Sequence, residues 1–272
     1  MAILNYKGKN VYYEVNGEGR PILLLNGIMM STASWEFFKD PLTHNNQLIT
    51  LDFLDQGQSE KLEGEYSQEI QVDLIHALLQ ELKIEKISIV GISYGGEVAL
   101  QYALKHGESV DRLVLFNTTA KTNPWLRDIG RSWMLSGNDP LNYYLTTIPI
   151  IYSPNFYNEN IDWMEERKEL LTKYVFSNKD FMASMDRLTL SAENYDIIDR
   201  LNEIKNYTLI VGADHDFITP LTEQKLLNSG IKNSELIILP DTGHGAMYER
   251  PLLFTSLILG FVNNTKLEYG IV

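Results

Sequence analysis

Short apolar runs recur along this chain and alternate, after an N-terminal hairpin, with longer segments of helical periodicity. The apolar runs are typical of strands and lie near residues 11–15, 21–25, 47–52, 87–91, 110–116, 208–212 and 234–239. The helical segments lie near residues 67–82, 94–105, 220–228 and 251–263. Strands that alternate with helices favour a mostly parallel sheet with helices on both faces. The pattern therefore predicts an α/β fold.

This alternation fails between about residues 118 and 192, where aromatic side chains accumulate. Several helices are expected there, and the clearest spans residues 162–176. The aromatic residues are Trp125, Trp133, Tyr143, Tyr144, Tyr152, Phe156, Tyr157, Trp163, Tyr174, Phe176 and Phe181. A small helical unit needs large apolar side chains to form a core and to pack on a neighbouring domain. The segment is therefore expected to be an insertion into the α/β domain.

The composition fits one large α/β domain with such an insertion. The chain has 272 residues, of which 44% are hydrophobic, which is enough for a buried core. Its formal net charge of -13 argues against binding to nucleic acid or to an anionic membrane surface. The absence of cysteine excludes disulfides and thiol redox chemistry.

Targeting and membrane segments are not evident in the sequence. The chain begins with a strand-like stretch rather than a basic segment followed by an apolar one, so no signal peptide is expected. The longest strongly apolar stretch, residues 252–262, is too short to span a bilayer. We therefore expect a cytoplasmic protein that acts on a small molecule, with an oligomeric state that the sequence leaves open.

The sequence Gly91-Ile-Ser-Tyr-Gly95 stands between an apolar run and a helical stretch. A serine projects its hydroxyl from a sheet only where the strand turns at once into a helix, and this tight turn needs residues without a Cβ beside the serine. Gly91 and Gly95 occupy those positions, and Gly96 adds room. The segment is typical of a nucleophile elbow, with Ser93 as the candidate nucleophile.

With this elbow the chain resembles the α/β-hydrolase family, in which a histidine from another loop accepts the serine proton. The family's pattern Gly-His-X4-Glu-X-Pro is matched by Gly243, His244, Glu249 and Pro251. The resemblance therefore implies that His244 is the base. Histidines with structural interpretations, on predicted helices or in a polar turn, are His44, His76 and His106.

In this family the acid lies between the serine and the histidine, in the loop after the penultimate strand. That loop, residues 212–220, holds two carboxylates, Asp214 and Asp216. The family's usual spacing places the acid four residues before the proline that opens the next helix, here Pro220, and so favours Asp216. Asp214 is the alternative, and a turn-forming role is its other interpretation. His215 is expected near the rim of the pocket.

Acyl transfer places negative charge on the carbonyl oxygen, and two backbone N–H groups stabilise that charge in such enzymes. One donor is expected to be the N–H of Tyr94, the residue after the nucleophile. By its position after a strand, the N–H of Ile28 is the expected second donor. Relatives usually carry a His-Gly pair here, whereas this chain has Asn26-Gly27. The amide of Asn26 can still make hydrogen bonds that hold the loop.

A second departure from the family follows the strand that ends at Asp52. Relatives often have Asp-X-X-Gly-X-Gly-X-Ser at this point, and Asp55 replaces the first glycine. Aspartate tolerates turn conformations, so the segment is interpreted as a structural turn next to the site.

The resemblance implies that residues 118–192 form a helical cap over the active site, while residues 1–117 and 193–272 form the α/β core domain. The aromatic content of the insertion predicts an apolar, enclosed pocket. Candidate pocket residues are Met29, after the strand near residues 21–25, and Trp125, Trp133 and Met134, early in the insertion.

The activity that the resemblance implies is serine hydrolysis without a cofactor or a metal. Ser93 would attack the substrate carbonyl, His244 would take its proton, Asp216 would orient the imidazole, and water would resolve the acyl-enzyme. The expected substrate is a small to medium, largely apolar carboxylic ester, because the insertion offers little positive charge. Thioesters and lactones fit the same chemistry.

Other activities use the same catalytic residues. Some relatives cleave carbon-carbon bonds in diketone-like compounds, and others catalyse cofactor-free perhydrolysis. A family member can also act as a non-catalytic ligand receptor. The motifs do not separate these alternatives from an esterase, because fold analogy indicates the reaction class better than the substrate.

Overall fold

A computed structural model of the protein describes residues 2–264. Met1 and residues 265–272, which the predicted core domain includes, lie outside the described residues. The eight strands are β1 (Ala2–Tyr6), β2 (Lys9–Asn16), β3 (Arg20–Leu25), β4 (Asn46–Leu51), β5 (Ile87–Ile92), β6 (Val110–Phe116), β7 (Tyr207–Ala213) and β8 (Ser234–Leu239). They form one sheet in the order β1-β2-β4-β3-β5-β6-β7-β8.

The sheet is parallel from β4 to β8, and only the pairs β1-β2 and β2-β4 are antiparallel. The predicted α/β fold with a mostly parallel sheet is confirmed. Each strand of the sequence pattern is present within a few residues of its expected position. The agreement follows from burial: the central strands are covered on both faces and therefore appear in the sequence as nearly continuous apolar runs.

The helices are α1 (Lys39–Thr43), α2 (Glu69–Glu81), α3 (Tyr94–His106), α4 (Pro124–Ser136), α5 (Pro140–Thr147), α6 (Pro154–Glu159), α7 (Ile161–Leu170), α8 (Lys179–Ser191), α9 (Leu221–Gly230), α10 (Ala246–Glu249) and α11 (Pro251–Asn263). Successive residues of β3 show that the helices cover both faces of the sheet. Leu23 packs in the cluster that contains α2 and α3, and Leu24 packs in the cluster that contains α11. The alternation of side chains along a strand therefore builds two apolar layers.

Helices α4 to α8 lie between β6 and β7, where the sequence predicted an insertion. Asn123, Asp139 and Ser153 cap the first three of these helices through their side chains, and each is followed by a proline in the first turn. The insertion has an apolar cluster of its own, which includes Trp133 and Tyr144. Its status as a separate domain with the bounds 118–192 stays a prediction.

The turn after β4 is tied to the insertion by a buried ion pair. Asp55 has a φ of 73° and is 1% exposed. Its carboxylate accepts hydrogen bonds from Nε of Arg187 in α8 at 3.0 Å and from the backbone N–H of Leu62 at 3.0 Å. The residue that replaces a glycine of the family pattern thus joins two parts of the chain that are distant in sequence.

Membrane-spanning helices are absent from the part of the chain that the structure describes: none of the helices within residues 2–264 is both long enough and apolar enough to cross a bilayer.

Candidate active site

Ser93 stands at the junction between β5 and α3. Its φ of 51° and ψ of -119° lie in a region that side-chain-bearing residues rarely adopt. The neighbouring strand holds the turn in place, because the Ser93 N–H donates to the carbonyl oxygen of Phe116 at 2.9 Å. The strained conformation turns the chain from strand to helix within one residue, as the sequence pattern predicted.

The three glycines around Ser93 allow close packing of backbone. A Cβ on Gly91 would lie 2.6 Å from the carbonyl oxygen of Gly95, and a Cβ on Gly95 would lie 2.6 Å from the carbonyl oxygen of Asn26. At Gly96 a Cβ would lie 2.6 Å from Cβ of Thr118. Gly96 therefore does more than add room to the turn, since it lets α3 contact the segment that follows β6.

His244 and Asp216 lie side by side, with Nδ1 of His244 2.8 Å from Oδ2 of Asp216. Asp216 is 4% exposed. Its Oδ1 accepts the backbone N–H groups of Ile218 at 2.8 Å and Thr219 at 2.9 Å, and its Oδ2 accepts the Thr219 hydroxyl at 2.8 Å. These donors hold the carboxylate in one orientation, so the imidazole beside it is held as well.

Asp214, the alternative acid, lies in a different environment. It is exposed, and its Oδ1 accepts the backbone N–H of Thr242 at 3.2 Å. Partial burial acts to raise the pKa of Asp214, but hydrogen bonds from the backbone of Asp241 and Thr242 outweigh it and lower that pKa. His215 points toward Asp241, with 3.6 Å between Nδ1 and Oδ1. This geometry fits a role of Asp214 in the turn.

Ser93 and His244 line one cavity of about 200 Å³. It lies between the sheet edge and the insertion, and the predicted pocket residues Met29, Trp133 and Met134 also line it. Four elements distant in sequence thus contribute to one cavity: the loops after β3, β5 and β8, and helix α4.

Trp125 does not line this cavity, although the sequence predicts it as a pocket residue. It is 59% exposed, and its indole N–H donates to the carbonyl oxygen of Phe217 at 3.2 Å. The first turn of α4 lies over the loop that contains Phe217, outside the cavity. Trp133, two turns further along the helix, reaches the interior.

The loop after β3, which carries the predicted oxyanion donor Ile28, is held by a buried amide network. Nδ2 of Asn26 donates to Leu51 O at 2.8 Å and to Oε1 of Gln56 at 3.0 Å, and Oδ1 of Asn26 accepts the Trp35 indole N–H at 2.7 Å. Gln56 in turn donates to the carbonyl oxygens of Gly27 and Ile28 at 2.9 and 3.1 Å. The sequence offers one signal for Gln56, its place in the turn after β4, and predicts only a structural role for that turn.

Ile28 and Tyr94, whose backbone N–H groups are the predicted oxyanion donors, both line the cavity. Within residues 2–264, neither of them has a hydrogen-bond acceptor. The N–H of Gly27, by contrast, faces the sulfur of Met30 at 3.3 Å. Two residues that line the same cavity as Ser93 therefore have a backbone N–H without an acceptor in the described part of the chain.

The cavity is more cationic than the sequence suggested, because Arg127, Arg131 and Arg167 line it. Arg131 is paired with Asp128 at 3.5 Å. The guanidinium of Arg167 lies 5.2 Å from the ring centre of Trp163. For Arg127 and Arg167, residues 2–264 provide no carboxylate within 4.0 Å, and their buried Nε atoms have no hydrogen-bond partner among these residues. Scattered arginines carry no spacing signal, so sequence reasoning missed them.

A carboxyl group also lines the cavity. Glu97 belongs to α3, one helical turn after Ser93, and burial raises its pKa to about 8. Nothing in the sequence pattern singled it out, because a glutamate in a helix ordinarily faces water.

Metal ligands are not clustered in the described part of the chain: residues 2–264 contain no group of three or more histidine, aspartate or glutamate side chains that could hold a metal ion.

Comparison with known proteins supports one family. The profile of the alpha/beta hydrolase fold matches residues 20–145. MGS-M2, an alpha/beta hydrolase enzyme from a Medee basin deep-sea metagenome library, is 47% identical, with a TM-score of 0.97 over 99% of this chain and 100% of its own. The putative carbamate hydrolase RutD of Agrobacterium fabrum is 26% identical over 93% of this chain and 98% of its own length. The 2-hydroxymuconate semialdehyde hydrolase of Pseudomonas sp. strain CF600 is 25% identical over 91% and 88%.

Proposed function

The chain belongs to the α/β-hydrolase family and is a hydrolase, and we propose that it cleaves a carboxylic ester, thioester or lactone through a serine acyl-enzyme. One observation carries the proposal. Ser93, held at a φ of 51°, shares its cavity with His244, and the other side of that imidazole lies 2.8 Å from a buried carboxylate. A strained serine, an oriented histidine and a fixed acid are the groups that serine hydrolysis needs.

In the proposed reaction, Oγ of Ser93 attacks the substrate carbonyl carbon while Nε2 of His244 accepts the hydroxyl proton. The C–O bond to the leaving group then breaks, and the imidazolium returns the proton to the departing alcohol. Water attacks the acyl-enzyme with His244 as base, and Ser93 leaves with the proton. Asp216 stabilises the imidazolium in both steps, because its carboxylate is already oriented by the backbone of Ile218 and Thr219.

The oxyanion of each tetrahedral intermediate would be bound by the N–H groups of Ile28 and Tyr94. Their lack of an acceptor within residues 2–264 supports this role, since a donor already paired would have to break a bond first. A preorganised donor of this kind contributes about 3 kcal/mol to transition-state stabilisation. Gln56 holds the carbonyl side of the Ile28 loop, so it acts as a positioning residue.

A second candidate function is hydrolysis of a carbon-carbon bond in a diketone-like acid. Arg127 and Arg167 favour it, because both line the cavity without a carboxylate partner among residues 2–264, and a guanidinium is suited to a carboxylate brought by the substrate. The same two groups also suit an ester with an acidic substituent. The proposed substrate is therefore a largely apolar molecule that can carry one acidic group.

The proposal is tested with p-nitrophenyl esters of increasing chain length. We expect turnover that peaks at one length, and a loss of at least about a thousandfold in kcat in Ser93→Ala and His244→Ala. His215→Ala is the matched control, because that histidine belongs to the neighbouring loop and points toward Asp241. It is expected to retain activity.

Absence of turnover above that of Ser93→Ala would contradict the ester proposal. The same preparations would then be given diketone-like acids, whose cleavage is followed by loss of their ultraviolet absorbance. Ser93-dependent cleavage in that assay would establish the second candidate instead.

A further inference from the structure

Glu97 is a carboxyl group that the proposed reaction does not use. It lies one turn after Ser93 on α3, is 5% exposed, and forms part of the wall of the cavity that contains Ser93 and His244. Burying a carboxyl without good partners costs free energy, so its presence at this wall needs a physical account.

One oxygen of this carboxyl is held by a chain of amides. Nε2 of Gln68 donates to Oε2 of Glu97 at 2.6 Å, and Nε2 of Gln101 donates to Oε1 of Gln68 at 2.8 Å. Gln68 is itself 2% exposed, which limits its freedom to rotate. The other oxygen of Glu97 has no hydrogen-bond partner among residues 2–264. One oxygen of the carboxyl is thus hydrogen-bonded to Gln68, and the other is unpaired within residues 2–264.

The charge state of Glu97 decides what the free oxygen can do. No lysine, arginine or histidine of residues 2–264 lies within 4.0 Å of the carboxylate. Burial without a cation raises the pKa of Glu97 to about 8, so the carboxyl is mostly protonated at pH 7. Since Oε2 accepts from Gln68, the proton belongs on Oε1, which becomes a hydrogen-bond donor.

We infer that Glu97, oriented by Gln68, forms a polar subsite of the catalytic cavity that binds an uncharged oxygen of the substrate, a keto or hydroxyl group. The inference rests on the proposed hydrolase function and defines a substrate class for it. The substrate is an oxo- or hydroxy-substituted ester rather than a plain alkyl one. Neutral carboxylic acids donate hydrogen bonds to carbonyl oxygens in this way when an apolar site keeps them protonated.

The experiment compares matched pairs of esters that differ by one oxygen. The pairs that vary the acyl part are p-nitrophenyl esters, and the pairs that vary the alcohol part are butyrates. The pairs are alkanoates of five to seven carbons and their oxo counterparts, with the keto group moved along the chain, and butyrate esters of hydroxyketones and of the corresponding alkanols. We expect kcat/KM to be at least about tenfold higher for one oxygenated position in one series, mainly through KM. Equal values in every pair would overturn the inference.

Two substitutions separate recognition from packing. Glu97→Met has a similar volume and no polar atom, and it should abolish the preference for the oxygenated ester. Glu97→Gln keeps an N–H donor and should retain most of the preference. A Met variant with the wild-type ratio of kcat/KM values would contradict the subsite.

The pH dependence keeps the inference testable if the Met variant does not fold. Two phenols, those of Tyr94 and Tyr195, interact with Glu97, and burial raises the pKa of each further above its usual range. The charged groups that share the cavity wall with Glu97 on this side are Glu193 and Arg131, which are paired with each other. The wild-type preference should therefore fall as pH rises through about 8, where Glu97 loses its proton. In Glu97→Gln it should not change. Taking a ratio of two esters cancels any pH effect on the chemical step that both esters share.

Failure of the hydrolase proposal is distinguishable from failure of this inference. If no ester is turned over, binding of 4-oxopentanamide and pentanamide to the wild type and to Glu97→Met is measured by calorimetry. Preferential binding of the oxo compound by the wild type alone would support the subsite without any reaction. Equal binding by both proteins would contradict it.

Discussion

The carboxylate of Asp216 lies 2.8 Å from the imidazole of His244, although 28 residues separate the two in sequence. The loop after β7 brings the acid, and the loop after β8 brings the base. Because β7 and β8 are parallel neighbours, both loops leave the same edge of the sheet. The side chain of Thr219 completes the arrangement by donating to the same carboxylate oxygen at 2.8 Å.

This contact predicts different effects for the two candidate acids. Asp216→Asn should lower kcat by about a thousandfold to ten-thousandfold, because an amide cannot stabilise the imidazolium and favours the wrong tautomer. Asp214→Asn should stay within about tenfold of the wild type, since Asp214 contacts the backbone of Thr242 instead. Steady-state kinetics on the preferred p-nitrophenyl ester distinguish them. A larger loss in Asp214→Asn would assign the acid to Asp214.

The elbow predicts a stability cost for a single methyl group. In Gly95→Ala, the new Cβ would lie 2.6 Å from the carbonyl oxygens of Leu25 and Asn26, which are backbone atoms and cannot move aside cheaply. We expect a loss of about 3 kcal/mol in the free energy of unfolding. Gly260→Ala in α11 is the control: no atom lies within 4 Å of its added Cβ, and it should gain about 0.5 kcal/mol. Urea unfolding curves measure both, and equal stabilities would refute the packing argument.

The ion pair between Asp55 and Arg187 predicts a second stability difference. Arg187→Met leaves the buried Asp55 carboxylate without its cation and should cost about 3 kcal/mol of unfolding free energy. Arg200→Met removes an ion pair with Glu203 whose partners are both about half exposed, so its cost should be below about 1 kcal/mol. Chemical denaturation at low salt tests this. Matching losses in the two variants would mean that the buried pair contributes no more than a surface one.

Burial of Glu97 predicts how stability depends on pH. Its pKa is about 8 in the folded protein and near 4.5 when unfolded, so the folded state binds more protons between these values. The contribution of Glu97 to stability is therefore lost as pH rises from about 4.5 to about 8. The free energy of unfolding of the wild type, relative to Glu97→Gln, should fall by about 4 kcal/mol over this range.

Urea unfolding of both proteins at pH 5, 6, 7 and 8 measures that difference. Glu203→Gln serves as the control, because that carboxyl is on the surface and its substitution should produce a nearly constant difference. A constant difference for Glu97→Gln as well would show that the carboxyl is ionised at neutral pH.

Local signals in the sequence were sufficient for the fold. The periodicity of apolar residues depends on the burial of each element, and strands buried on both faces leave continuous apolar runs. The elbow around Ser93 was evident for the same reason, since a tight turn selects glycines at fixed short spacings. The order of the motifs for Ser93, Asp216 and His244 along the chain then indicated the family and the reaction class that the comparisons support.

Only the tertiary structure decided which side chains line the cavity. Trp125 and Trp133 both belong to α4, yet only Trp133 lines the cavity, because the start of α4 lies over the exposed loop that contains Phe217. The contacts of Glu97 with Gln68 and of Asp55 with Arg187 join segments that are 29 and 132 residues apart. Such pairings follow from how helices dock on the sheet, and no local pattern encodes them. Sequence therefore determined the fold and the predicted reacting groups, whereas docking of the insertion decided which side chains face the substrate.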